Sequence, residues 1–184
     1  FSIPYLDGSL SISRASRTFP QYLIFKPAMI ITAVTLYYYW VNNNNLFNSY
    51  NKTSTNYKFK TFGILSAVFL AIQSIFLGIK FDIQIYKLMR RGILLLFIIF
   101  EIIAQGILVY HFFKIKNKLE KLINKKILVL KIILVSVLTF VAIISIPILI
   151  DKGNTHFKHA LEWNYFVGVI LFYLLTRFFW RRTT

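Results

Sequence analysis

The sequence predicts an all-α fold, a polytopic bundle of transmembrane helices. Three observations carry this. Of 184 residues, 57% are hydrophobic and only 15% charged, with a mean hydropathy of +0.62; a soluble domain averages roughly 45–50% apolar and about 25% charged. The apolar residues gather in five runs, at 22–42, 61–81, 92–113, 127–149 and 161–180, each near the ~20 residues that cross a bilayer's hydrocarbon core. The runs are continuous rather than alternating, which excludes the strands of a membrane barrel. Helices satisfy their backbone groups internally and are the remaining way to span. All five belong to a single transmembrane domain, 1–184.

The segment before the first run, 1–21, is polar and turn-like. After it, short polar connections favour antiparallel neighbours. The first, 43–60, is rich in Asn; the second, 82–91, carries Asp82, Lys87, Arg90 and Arg91. The third, 114–126, holds six Lys and one Glu, and the fourth is 150–160. Lys and Arg on alternate sides number eleven (43–60, 114–126 and the tail) against seven (1–21, 82–91 and 150–160). The positive-inside rule then puts the N-terminal segment outside and the C-terminus in the cytoplasm, in an inner or plasma membrane. The chain begins with Phe1 rather than Met, and the expectation is a missing upstream helix, giving six spans.

The net charge is +16, from 22 Lys+Arg against 6 Asp+Glu. In a soluble protein this would point to nucleic acid. Here the basic residues lie between apolar runs, so the expected partners are membrane lipids with anionic headgroups, and no nucleic acid. The absence of Cys removes disulfides, thiolate metal sites and a Cys nucleophile. No Gly-x-Ser-x-Gly elbow, P-loop or dinucleotide fingerprint is present, and no cofactor is expected.

Several polar residues need a reason. Glu101 lies mid-span, where a charge costs roughly 2.5–3.5 kcal/mol on insertion scales. Gln105 follows one turn later on its face, and Gln73 sits in the preceding span. These suit a proton-carrying carboxyl, or a protonated Glu hydrogen-bonded to Gln as interhelical glue. Lys26, Lys131 and Arg177 fall within about two turns of a span's end and are expected to snorkel, with Pro27 in a first helical turn. His156, His159 and Glu162 are spaced i, i+3, i+6, which on a helix is one 120° arc. Such a trio could ligate a metal, act as an acid/base pair oriented by Asp7 or Glu162, or simply open an interfacial helix anchored by Trp163 and Tyr165. In the N-terminal segment, Arg14 and Arg17 among Ser9, Ser11, Ser13 and Thr18 suit a phosphate, which a guanidinium matches bidentately. Asp151 lies near the histidines in sequence. In 114–126, Ile115, Leu119, Leu122 and Ile123 on one face, ringed by lysines, predict an amphipathic interfacial helix.

Two stretches carry a resemblance. Ile3-Pro4-Tyr5-Leu6-Asp7-Gly8 runs through a polar stretch to Phe19-Pro20, with Phe25 opening a span, and Leu161-Glu162-Trp163-Asn164 opens the last run. Together these resemble the membrane family of the DRAM autophagy modulators, the yeast Sfk-type proteins and the GPI-anchor remodelling (Frag-type) proteins. Asp7 to Arg14 is similar to the Asp-Gly-Ser-x-Ser-Ile-Ser-Arg loop of a bacterial branch. The resemblance implies six spans, the first absent here, and roles from lipid-anchor remodelling to regulatory scaffolding.

Three functions fit these residues. The first is a lipid-handling or membrane-regulatory protein, with Arg14, Arg17, Ser11 and Ser13 at a headgroup. The second is a lipid-modifying acyltransferase or hydrolase using His156 or His159 with Asp7 or Glu162. The third is a small proton-coupled transporter using Glu101. The first is the leading expectation.

Overall fold

A computed structural model describes the chain except for residues 1–2, 17–18, 52–54, 77–83, 121, 151–152 and 182–184. The described residues form two short helices, α1 (Pro4–Asp7) and α2 (Ile12–Ala15), and five long ones. These are α3 (Gln21–Asn51), α4 (Lys58–Phe76), α5 (Gln84–Ile115), α6 (Lys125–Ile150) and α7 (Thr155–Phe179). The all-α class is thus observed. α3, α4, the 92–115 part of α5 and the 125–145 part of α6 are long and apolar enough to cross a membrane. The chain is an integral, multi-pass membrane protein. α7 covers the fifth expected span and has 25 residues, but with Glu162, Asn164 and Arg177 in it no stretch is apolar enough to count with the other four.

α3 and α5 run past their expected bounds for physical reasons, and the end of the second expected span, 77–81, lies outside the described residues. α3 runs on to Asn51, so most of the Asn-rich connection is helical. Asn44, Asn48 and Asn51 fall on one face and receive the returning chain. Asn44 Oδ1 accepts from the Tyr57 N–H at 3.0 Å, Asn48 Oδ1 from the Thr55 N–H at 3.1 Å, and Asn51 Nδ2 donates to the Tyr57 hydroxyl at 2.8 Å. α5 starts at Gln84, so the second connection is largely helix and Arg90 is buried. Pro27 lies six residues into α3 rather than in its first turn.

The chain divides into two compact units, Ser13–Ala104 and Phe1–Ile12 with Gln105–Thr184; α5 contributes to both. In the first, α3 packs along α4. Trp40, fully buried, lies over Gly63 so closely that a Cβ there would stand 2.2 Å from its ring. Phe47, Tyr57 and Phe59 complete the cluster, with ring centroids 5.5 Å apart. Lipid tails are as apolar as the side chains, so close fit at small residues, rather than exclusion from water, holds such helices together.

In the second unit α6 packs on α7, and α1 also packs on α7. Gly168 admits Leu138, whose Cδ2 would be 2.6 Å from a Cβ at 168. The 114–126 stretch is not the amphipathic helix expected. After α5 ends at Ile115, residues 116–120 form turns, with Lys118 N–H donating to the Ile115 carbonyl at 2.9 Å. Ile123 then bridges to Trp180 through Asn124 N–H to the Phe179 carbonyl and Arg181 N–H to the Leu122 carbonyl, both 2.8 Å. Leu119 and Ile123 are fully buried. The apolar face that should have met lipid meets protein instead.

Candidate functional site

The sequence places the most chemistry at the start of α7 and in the N-terminal segment. These two regions, about 150 residues apart in the chain, meet within one unit. Gly8 has φ +62° and lies against the backbone of His156, where a Cβ would be 1.7 Å from the carbonyl oxygen. Only glycine combines that left-handed turn with so close an approach. Three side chains of α7 then hold the segment by its backbone. His159 Nδ1 lies 3.0 Å from the Gly8 carbonyl, Trp163 Nε1 donates to the Leu10 carbonyl at 2.7 Å, and Asn164 Nδ2 donates to the Tyr5 carbonyl at 3.0 Å. His159 and Trp163, four apart, share a helical face, and Asn164 lies about 100° round the helix from Trp163.

The carbonyl of Gly8 can only accept, so His159 donates from Nδ1. His156 is exposed, and Glu162 is half-buried. The Asp7 carboxylate bonds to the backbone of its own segment. Its Oδ2 accepts from the Ile3 N–H and its Oδ1 from the Ser9 N–H, both at 2.9 Å, and this closes the turn that presents Gly8. Among the described residues, no group of three His, Cys, Asp or Glu is close enough to hold a metal ion.

Ser11 is buried and Arg14, in the last turn of α2, is exposed; Arg14 and Ser13 belong to the other compact unit. Arg17 and Asp151, and the side chain of Ser13, lie outside the described residues.

Within the first unit Glu101 is fully buried on α5. Ser66 Oγ on α4 is 2.5 Å from Glu101 Oε2 and 2.9 Å from the Gly63 carbonyl. One hydroxyl hydrogen serves one acceptor at a time. A Glu101 carboxyl in its neutral acid form supplies the second hydrogen and satisfies both contacts. The arrangement is an interhelical clamp, and its partner is a serine that the sequence reading did not single out. Gln105 and Gln73 are buried as well, and Gln73 Oε1 meets no donor among the described residues. The signal for Ser66 was its place in the small-residue face Gly63, Ser66, Ala67, Leu70, Ser74, all buried.

Of the cations near span ends, Arg177 is exposed, and Lys26 Nζ reaches the Ile75 carbonyl at the end of α4, 3.4 Å away. Lys131 does not snorkel. It is 3% exposed, donates to Thr176 Oγ1 at 2.7 Å, and lies 4.1 Å and 5.2 Å from the ring centroids of Phe172 and Phe179. Rings at i and i+7 on α7 give the ammonium a π-face on its own level of the bundle, which competes with the interface.

No protein-family model matches this chain, and neither the curated proteins nor the solved structures include one similar to it.

Proposed function

We propose that this multi-pass membrane protein handles lipid without chemically altering it, and that its N-terminal segment is a fixed headgroup-level element. The observation that carries this is the attachment of residues 5–10 to α7 through His159, Trp163 and Asn164. Ten residues beyond a membrane span are ordinarily loose; these are fastened at three points to the end of a helix. Trp163, with its indole N–H satisfied, suits the headgroup level, and Leu6 and Tyr5 present apolar surface, 73% and 51% exposed. Arg14 is exposed, and a guanidinium matches a phosphate bidentately; Arg17, three residues later in the sequence, lies outside the described residues. The basic side of the chain faces the cytoplasm in this reading.

Support also comes from the resemblance to the DRAM, Sfk-type and GPI-anchor remodelling family. Its two motif stretches, Ile3–Gly8 and Leu161–Asn164, are the two that touch here. The lipid-modifying enzyme is the second reading; the Asp7 carboxylate accepts from two backbone N–H groups in closing the turn. The test is native mass spectrometry of the full chain with its co-purified lipids, wild type beside Arg14→Ala/Arg17→Ala. Retained anionic lipid should fall several-fold at unchanged helicity. Equal retention overturns the reading.

A further inference from the structure

Between the C-terminal half of α5 and α6 runs an open groove of about 550 Å³, within the roughly 300–1,000 Å³ usual for small-molecule sites. Its walls include Gly106, Tyr110 and Phe113 on α5 and Ile132, Ser136 and Ile143 on α6. The hydroxyl of Thr139, also on the wall, is turned to its own helix, donating to the Val135 carbonyl at 2.8 Å, so the lining offers hydrocarbon. From Ile132 to Ile143 the groove follows α6 for about 16 Å at the helical rise. That is about half of a ~30 Å hydrocarbon core, the depth of one leaflet.

One end of the groove is charged. Lys116 Nζ stands 3.8 Å over the ring of Phe113, which is itself part of the wall. Lys114, exposed, is in the last turn of α5. Glu120, the one acid of the 114–126 stretch, is bonded to Lys125 at 2.5 Å and so does not neutralise the cations at the mouth. We infer that this groove binds one acyl chain of an anionic phospholipid, with the phosphate held at Lys116 and Lys114. A leaflet-deep apolar channel closed at the interface by uncompensated lysines matches a lipid tail and a negative headgroup. The site lies at the end of the unit away from the His156–Asn164 face, and it goes beyond the N-terminal headgroup element: either can fail without the other.

The test is retention of lipid by the full chain released from nanodiscs of equimolar phosphatidylglycerol and phosphatidylcholine, read by native mass spectrometry. Wild type should prefer phosphatidylglycerol roughly thirtyfold, the scale set by two interfacial lysines. In the Arg14→Ala/Arg17→Ala background, Lys114→Gln/Lys116→Gln should bring the preference to parity, and the Lys114→Arg/Lys116→Arg pair should keep it. Ser136→Trp, which fills the channel, should lower retention of both lipids while the helical circular dichroism is unchanged. Arg14→Ala/Arg17→Ala alone should lower the total anionic lipid retained and leave a phosphatidylglycerol preference that depends on Lys114 and Lys116, which separates the two sites. An unaltered preference in the Gln pair overturns the proposal. So does wild-type retention in Ser136→Trp, or release as a dimer that Ser136→Trp dissociates, since the groove would then seat a second copy.

Discussion

Replacing Gly8 with Ala should detach the N-terminal segment from α7 and leave the rest of the molecule intact. Two effects act at that residue. Its φ of +62° costs an L side chain roughly 1–2 kcal/mol. The new Cβ would also stand 1.7 Å from the His156 carbonyl oxygen and 2.4 Å from its carbon. Those are backbone atoms within α7 and cannot swing aside as a side chain could. The segment must therefore move, and the bonds from His159, Trp163 and Asn164 are lost with it. At a net 0.5–1.5 kcal/mol each, their loss amounts to about 1.5–4.5 kcal/mol. That figure is also a ceiling, because a detached segment has nothing further to lose. Hydrogen exchange at the amides of Leu6 and Asp7, which bond to the Ile3 carbonyl, and of Ser9, which bonds to Asp7, should accelerate by about one to three orders of magnitude. Exchange in α3 and α4 should not change. Gly92→Ala is the control: no atom lies within 4 Å of its Cβ position, so the substitution should stabilise α5 by about 0.5–1 kcal/mol. Wild-type protection of Leu6, Asp7 and Ser9 in Gly8→Ala would refute the reasoning.

Four further outcomes follow from the packing. Gly63→Ala drives a Cβ into the fully buried Trp40 ring and should cost about 1–3 kcal/mol in thermal unfolding in detergent; an unshifted midpoint would contradict the contact. Ser66→Ala leaves the buried Glu101 carboxyl short of its partner and should cost about 1–3 kcal/mol. Glu101→Gln, whose amide can still donate to Ser66, should be tolerated, and the reverse order of stabilities would remove the clamp. Thr176→Val strips the acceptor from Lys131 and should destabilise by about 1.5–3 kcal/mol, whereas Lys131→Met, which keeps the stem against Phe172, should be neutral or stabilising. At the surface, the Lys125 hydrogen bond and charge hold the Glu120 carboxyl below its ordinary range. Its folded value lies under its unfolded one, so its contribution is present above the unfolded value and fades as pH falls through the folded one. Titration by NMR should show Glu120 ionised at more acidic pH than an ordinary Glu, and Lys125→Gln should abolish the difference.

Fold class and membrane character were legible in the sequence because both depend on long, unbroken apolar runs, and no arrangement of partners alters what those runs need from a solvent. The imidazoles of His156 and His159 were correctly placed on a helix for a similar reason, since an i, i+3 spacing is a local property. Boundaries were less legible. Asn43 and Asn44 read as loop from their type, yet Asn43 Nδ2 donates to the Tyr39 carbonyl at 2.8 Å and both are buried within α3. Asn is a poor helix former when water competes for the backbone, and here a returning chain takes its side chains instead.

The role of each polar group depended on what the tertiary structure set against it. Asp7 reads in the sequence as a carboxylate of no particular partner, and only the positions of the Ile3 and Ser9 N–H groups show that it closes a turn. Lys131 can reach an interface by its length alone; the rings of Phe172 and Phe179, forty residues on, hold it inside. Leu119 and Ile123 form an amphipathic pattern that fits a lipid surface or a protein surface equally, and pairing with Trp180 selected the protein. What the sequence by itself determined is therefore the solvent, the helical class and the local spacing, each a property of neighbours along the chain. What only the tertiary structure decided is the partner of every buried polar group, because a hydrogen bond or a ring contact is short-ranged and forms with whichever residue the fold brings within about 3–6 Å.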